Sequence, residues 1–91
     1  MDLDLFIGKR IRHRRLLLNL KQHDLSEACG VQFQQIQKYE CGINRISAIN
    51  LHRIAVKLEV PISYFFEGLN EAETNIIQLP ARKGPSKNKP G

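Results

Sequence analysis

Residues 20–42 read LKQHDLSEACGVQFQQIQKYECG, and the fold turns on how this stretch divides. Leu25, Ala28 and Cys29 stand three and four positions apart, which is one face of a helix running from about Gln22 to Cys29. Gly30 follows where a left-handed C-cap residue is wanted, so the chain turns sharply there. A second helix, about Phe33 to Glu40, buries Ile36 and Tyr39, and Gly42 closes it one residue beyond Cys41. Its other face is almost entirely Gln and Lys.

Outward from this pair, apolar residues recur every three or four positions from Leu3 to Glu67, with breaks at Asn19, Gly30, Gly42 and Pro61. The period is helical throughout, and no stretch reads as a strand. A first helix, about Leu3 to Leu18, aligns Ile7, Ile11 and Leu18 on one stripe and carries Lys9, Arg10, Arg12 and Arg15 around it. A fourth, about Ser47 to Leu58, has Ser47 as N-cap and turns Leu51, Ile54, Ala55 and Leu58 inward. Pro61 suits the start of a short fifth helix, Ile62 to Phe66, whose Phe65 and Phe66 are expected to cover the bottom of the core. The expected fold is all-α with five helices, in one domain over residues 1–68.

Beyond Gly68, residues 69–79 read as a short extension, either helical from Asn70 or dimer-forming, with Ile76, Ile77 and Leu79 as the residues it has to bury. The stretch from Leu79, LPARKGPSKNKPG, holds almost nothing apolar, and residues 80–91 are expected to be a flexible basic tail.

The 91 residues suffice for one core and exclude a two-domain enzyme. Charge is segregated: residues 1–58 hold ten basic and five acidic side chains, residues 59–80 four acidic and none basic, and residues 81–91 four basic and none acidic. A basic face on a small globule suits a polyanion, and nucleic acid is a commoner partner for it than a membrane. No run of 18 apolar residues exists, and the opening MDLDLFIGKR lacks the layout of a signal peptide, so a cytoplasmic protein is expected. Cys29 and Cys41 form no C-x-x-C, and His13, His23 and His52 lack zinc-site spacing; two reduced thiols, no metal and no cofactor are expected. No Ser, His and acid cluster and no Gly-rich phosphate loop is sketched, which argues against catalysis and against a small-molecule ligand.

Two short helices around a glycine turn, the second polar outside, form the pattern of a helix-turn-helix, whose second helix enters the DNA major groove. The stretch quoted above, followed by INRISAINLHRIAVKLEVPISYFF, resembles the Cro/CI-type (XRE-like) phage-repressor family from about Ile7 to Gly68. The residues that carry the resemblance are Gln22, Leu25, Ala28, Gly30, Val31, Ile36, Glu40, Gly42, Ile54, Ala55, Leu58, Val60 and Phe65. The resemblance implies a lambda-repressor-like domain and a sequence-specific regulator of transcription, a repressor, bound to double-stranded DNA as a homodimer.

The recognition helix presents Gln32, Phe33, Gln34, Gln37 and Lys38. Amide side chains bond adenine at N6 and N7, and lysine prefers guanine O6 and N7. Phe33, Gln34 and Lys38 match family positions that read base edges, with Gln32 and Gln37 flanking them on bases or phosphates. Phe33 also lies three residues before Ile36, so packing in the core and contact with a thymine methyl stand side by side as readings.

Phosphate contacts are expected where Gln22 opens a helix, since free N–H groups and the helix dipole favour an anion there. Lys21 and His23 beside it have the wrong sign for the dipole, a mismatch that a bound phosphate would relieve. Asn44 and Arg45 match family positions that hold the sugar-phosphate backbone. Arg15 and Glu40 match a family ion pair with a structural role, tying the first helix to the end of the recognition helix; presentation of the arginine to a phosphate is the other reading. The rival function from another class is a protein-interaction module or antitoxin-like partner built on the same fold.

Overall fold

The computed structural model describes residues 2–69. Helix α1 spans Leu3–Leu17, α2 Gln22–Cys29, α3 Phe33–Glu40 and α4 Ala48–Leu58, and a 3-10 helix covers Ile62–Phe66. The described residues contain no strand. The expected extension at 69–79, apart from Leu69, and the expected tail at 80–91 lie outside the described residues.

Each helix starts and stops for a local reason. Asp2 caps α1, accepting from the Leu5 N–H at 3.2 Å, and Arg14 and Arg15 sit in its last turn, where positive charge favours the dipole. The helix ends at Leu17, one residue short of the sequence reading, and Leu18 becomes its cap. Asn19 then takes φ +58, a left-handed turn that asparagine tolerates better than most residues. Between α2 and α3, Gly30 adopts φ +69, and both Gly30 and Val31 donate to the Ser26 carbonyl. A Cβ at Gly30 would meet nothing within 4 Å, so the glycine is required by backbone conformation alone. Ser47 caps α4 through its hydroxyl, 3.1 Å from the Asn50 N–H.

The core is the union of one face from each element. Ile11, Leu25, Ile36, Ile54, Leu58 and Phe65 are wholly buried, each contributing about 1.5 to 3 kcal/mol through burial. Cys29, Tyr39, Leu51 and Ala55 complete it, while Ala28 is only half-buried. Phe66 departs from the sequence reading: it is 38% exposed, because in the tight 3-10 helix only Phe65 turns inward. Buried Ser26 was not anticipated; its hydroxyl donates to the His23 carbonyl at 2.8 Å, which removes the cost of burying it.

Helix α1 crosses α3 and the 3-10 helix, while α2 packs on α3 and α4. The α1–α3 crossing is close because Gly8 lies at it. A Cβ there would overlap the carbonyl oxygens of Tyr39 and Glu40. This contact fixes the end of α3 against α1 and thereby the direction in which α3 projects.

Candidate nucleic-acid interface

Helix α3 is eight residues long and sharply two-faced. Ile36, Tyr39 and Glu40 are buried; Gln32, Phe33, Gln34, Gln37 and Lys38 are exposed. Gln32 is the N-cap with an extended backbone, and its side chain makes no capping hydrogen bond. No acid lies between Val31 and Tyr39, so the exposed face offers amide donors and acceptors and one cation.

The buried end of α3 is held by charge. Glu40 Oε2 accepts from Arg15 Nε at 2.7 Å and Glu40 Oε1 from Arg15 Nη2 at 3.0 Å, a bidentate pair, and both residues are under a tenth exposed. Arg15 Nη1 also donates to the Leu20 carbonyl at 3.0 Å, and Gln22 Nε2 donates to Glu40 Oε1 at 3.0 Å. One carboxylate therefore joins the end of α1, the first residue of α2 and the last of α3. Arg15 is fully engaged in this network, which leaves little of it to offer a phosphate. Tyr39 is tied similarly to α4, its hydroxyl accepting from Asn50 Nδ2 at 3.2 Å.

At the start of α2 the expected anion site has a competitor. Asp24 lies in the first turn and accepts from the Lys21 N–H at 2.8 Å, the acid half of a capping box. The Lys21 side chain has no acceptor atom and supplies no reciprocal cap. Asp24 thus provides the dipole compensation that Lys21 and His23 lack, and the electrostatic mismatch read from the sequence is smaller than it looked. His23 has another contact: its ring meets Phe33 edge to face at 6.2 Å between centroids. Phe33 is 39% exposed, so the core reading of it fails.

The loop after α3 places Asn44 half-buried and Arg45 in solvent. Arg45 forks onto the Asp4 carboxylate, Nε to Oδ1 at 3.2 Å and Nη2 to Oδ2 at 3.3 Å, and this hydrogen bond together with the charge of Asp4 pushes its already high pKa further up. The two residues are 41 positions apart, and nothing in the sequence announces their contact.

A groove between α1 and the exposed face of α3 is lined by Arg12, Gln22, Gln34, Gln37, Lys38 and Ile43, with Glu40 and Cys41 at the end of α3. It brings four of the expected contact residues onto one surface. Arg45 lines a separate recess with Asp4, Ile7, Ile46 and Leu51. The sequence reading missed Arg12 and Ile43. Arg12 looked like one of several cations on the back of α1, and Ile43 was a single apolar residue in a loop, although it is 70% exposed.

A family model described as helix-turn-helix matches residues 11–65. The chain belongs to the helix-turn-helix family of Cro/CI type. It is 51% identical over 65 residues to an uncharacterised HTH-type transcriptional regulator of Sinorhizobium medicae, covering 71% of this chain and 47% of the relative. It is 53% identical over 70 residues to an uncharacterised transcriptional regulator in the ATPase CF(0) region of Rhodospirillum rubrum, covering 77% and 65%. The chain spans about half the length of the first of these. Its helix-turn-helix fold is similar to that of the restriction-modification controller protein C.AhdI from Aeromonas hydrophila, with a TM-score of 0.65 over 69% of this chain and 96% of that one, at 24% identity. The helix-turn-helix of this family corresponds here to α2, the Gly30 turn and α3. Cys29 is buried and Cys41 exposed, both as free thiols, and no described helix is long and apolar enough to cross a membrane.

Proposed function

We propose that this helix-turn-helix domain binds double-stranded DNA sequence-specifically and regulates transcription, with α3 in the major groove. The observation that carries the reading is the acid-free amide and lysine face of α3, mounted on a helix whose far side is locked by Glu40 and Tyr39. Gln34 and Lys38 read base edges, with Gln32, Phe33 and Gln37 beside them; an exposed Phe33 edge suits a thymine methyl. Lys21, Gln22, His23, Asn44 and Arg45 hold phosphates on either side. Arg45 reaches a phosphate by exchanging the Asp4 carboxylate for it. Repression is the regulatory outcome proposed, since occupancy of a site excludes other proteins sterically.

A helix of eight residues covers only a few base pairs, so we further propose a homodimer on a near-palindromic site. Among the described residues, wholly buried Phe65 is unavailable for such a surface, whereas exposed Phe66 and Ile62 and half-buried Leu69 are its candidates. Two recognition helices in adjacent major grooves would lie about 34 to 36 Å apart. Sedimentation of the protein alone and on a selected site should give two copies per duplex, and one copy on DNA would contradict the symmetric arrangement.

The protein-interaction reading keeps one observation in its favour, the exposure of Ile49 and Val56 about two turns apart on one side of α4. Titration of duplex DNA at two salt concentrations separates the readings. A DNA-binding domain loses affinity steeply with salt, and an interaction module shows no such loss.

A further inference from the structure

Four arginines lie in α1, and three have structural work. Arg10 donates to the Tyr64 carbonyl at 3.1 Å and lies over the Phe6 and Tyr64 rings at 5.1 and 5.6 Å. Arg14 donates to the Leu58 carbonyl at 3.0 Å, and Arg15 is held by Glu40. Arg12 differs: among the described residues it makes no hydrogen bond and no ion pair, and it is exposed. It nevertheless lines the groove beside α3 together with Gln34, Gln37 and Lys38. Glu40 is the one acid among that groove's lining residues, and its two oxygens are already taken by Arg15 and Gln22. Two cations therefore share a groove in which no carboxylate is left to compensate them. Lining by amides, cations and the exposed Ile43 matches a sugar-phosphate strand, which alternates an anion with an apolar sugar face.

We infer that Arg12 is a phosphate-binding residue of the DNA interface, extending it from α3 onto α1. The inference rests on the reading of the domain as a DNA binder. The strand running along the groove wall places a backbone phosphate against the Arg12 guanidinium, while α3 occupies the major groove beside it. Such a contact holds the register of α3 on the duplex and carries no base preference of its own.

The test compares Arg12→Ala, Arg12→Lys and Lys9→Ala with the unaltered protein on a random-sequence duplex between 50 and 200 mM salt. Lys9 serves as the equal-charge control, because it is exposed on α1 and lines a different cleft with Arg10, His13 and Tyr64. Loss of one phosphate contact lowers the salt slope by about 0.9, so over this fourfold salt range the affinity of Arg12→Ala should fall about 3.5-fold less than that of the unaltered protein. Arg12→Lys should keep the original slope, and Lys9→Ala should stay close to it. If Arg12→Ala keeps the full slope, or if Lys9→Ala lowers it equally, the assignment is overturned while DNA binding stands. If the unaltered protein shows no salt-dependent binding, the DNA-binding reading falls and the Arg12 assignment falls with it.

Discussion

Glu40 Oε2 lies 2.7 Å from Arg15 Nε inside the domain, with the Gln22 amide 3.0 Å from the other carboxylate oxygen. This three-way joint connects α1, α2 and α3 where they converge, and it sets how the polar face of α3 is presented. A buried ion pair of this kind contributes orientation more than net stability, because desolvation offsets much of its attraction.

Removing one partner leaves the other charge buried and alone. Arg15→Met or Glu40→Leu singly should destabilise the domain by about 3 to 5 kcal/mol, whereas the double substitution should recover most of that loss. Chemical denaturation of the three variants gives the comparison; additive losses would mean the two charges act independently.

Base readout is assigned to side chains that support nothing else. Gln34→Ala should relax preference at one base position by about 1 to 3 kcal/mol and leave folding and non-specific binding unchanged. Binding profiles on a panel of single-base variants of a selected site would show it, and an unchanged profile removes Gln34 from the readout.

Arg45 is held by Asp4 across 41 residues of sequence. Arg45→Ala should weaken binding to all sequences alike and lower the salt slope by about 0.9. Asp4→Asn should act oppositely, tightening non-specific binding by releasing Arg45 and removing a carboxylate from the phosphate's vicinity. A loss confined to one base pair in Arg45→Ala, or weaker binding in Asp4→Asn, would contradict the exchange of carboxylate for phosphate.

The two loop and crossing glycines should respond differently to one methyl group. At Gly30 the added Cβ meets open space and only the left-handed backbone is strained, which costs about 1 kcal/mol. At Gly8 it strikes backbone carbonyls of α3, so Gly8→Ala should cost about 3 kcal/mol or more. Equal melting temperatures for the two variants would refute the close crossing.

Cys29 and Cys41 should separate by reactivity. Burial pushes the Cys29 thiol above its ordinary 9.0, with Arg53 pulling weakly the other way, whereas Cys41 is exposed. In the folded protein one thiol should react with a disulfide reagent and the second only on unfolding. Because the folded pKa of Cys29 is raised, its contribution to stability is intact below pH 9.0 and is lost as pH climbs past that value. Two equally fast thiols in the native state would contradict the packing.

What the sequence disclosed and what it hid have physical reasons. The three-to-four residue period, Gly30, Ser47 and Pro61 are local signals, and they located each of the described helices to within about one residue. Phe65 and Phe66 share one composition, and only the tighter rise of the 3-10 helix decides which is buried. The exposed Gln and Lys face of α3 was visible because it lacks acids. Arg12, Ile43 and the Asp4–Arg45 pair were not, since each depends on how separate elements pack. The role of Gly8 was hidden as well, since it rests on the close approach of the Tyr39 and Glu40 carbonyls of α3.

Selection from a random duplex pool tests the central claim most directly. The unaltered protein, at about 100 mM salt, should enrich a short two-fold-related consensus, and Gln34→Ala should broaden it at one position in each half. A pool that remains random after repeated rounds with the unaltered protein would contradict sequence-specific reading by α3.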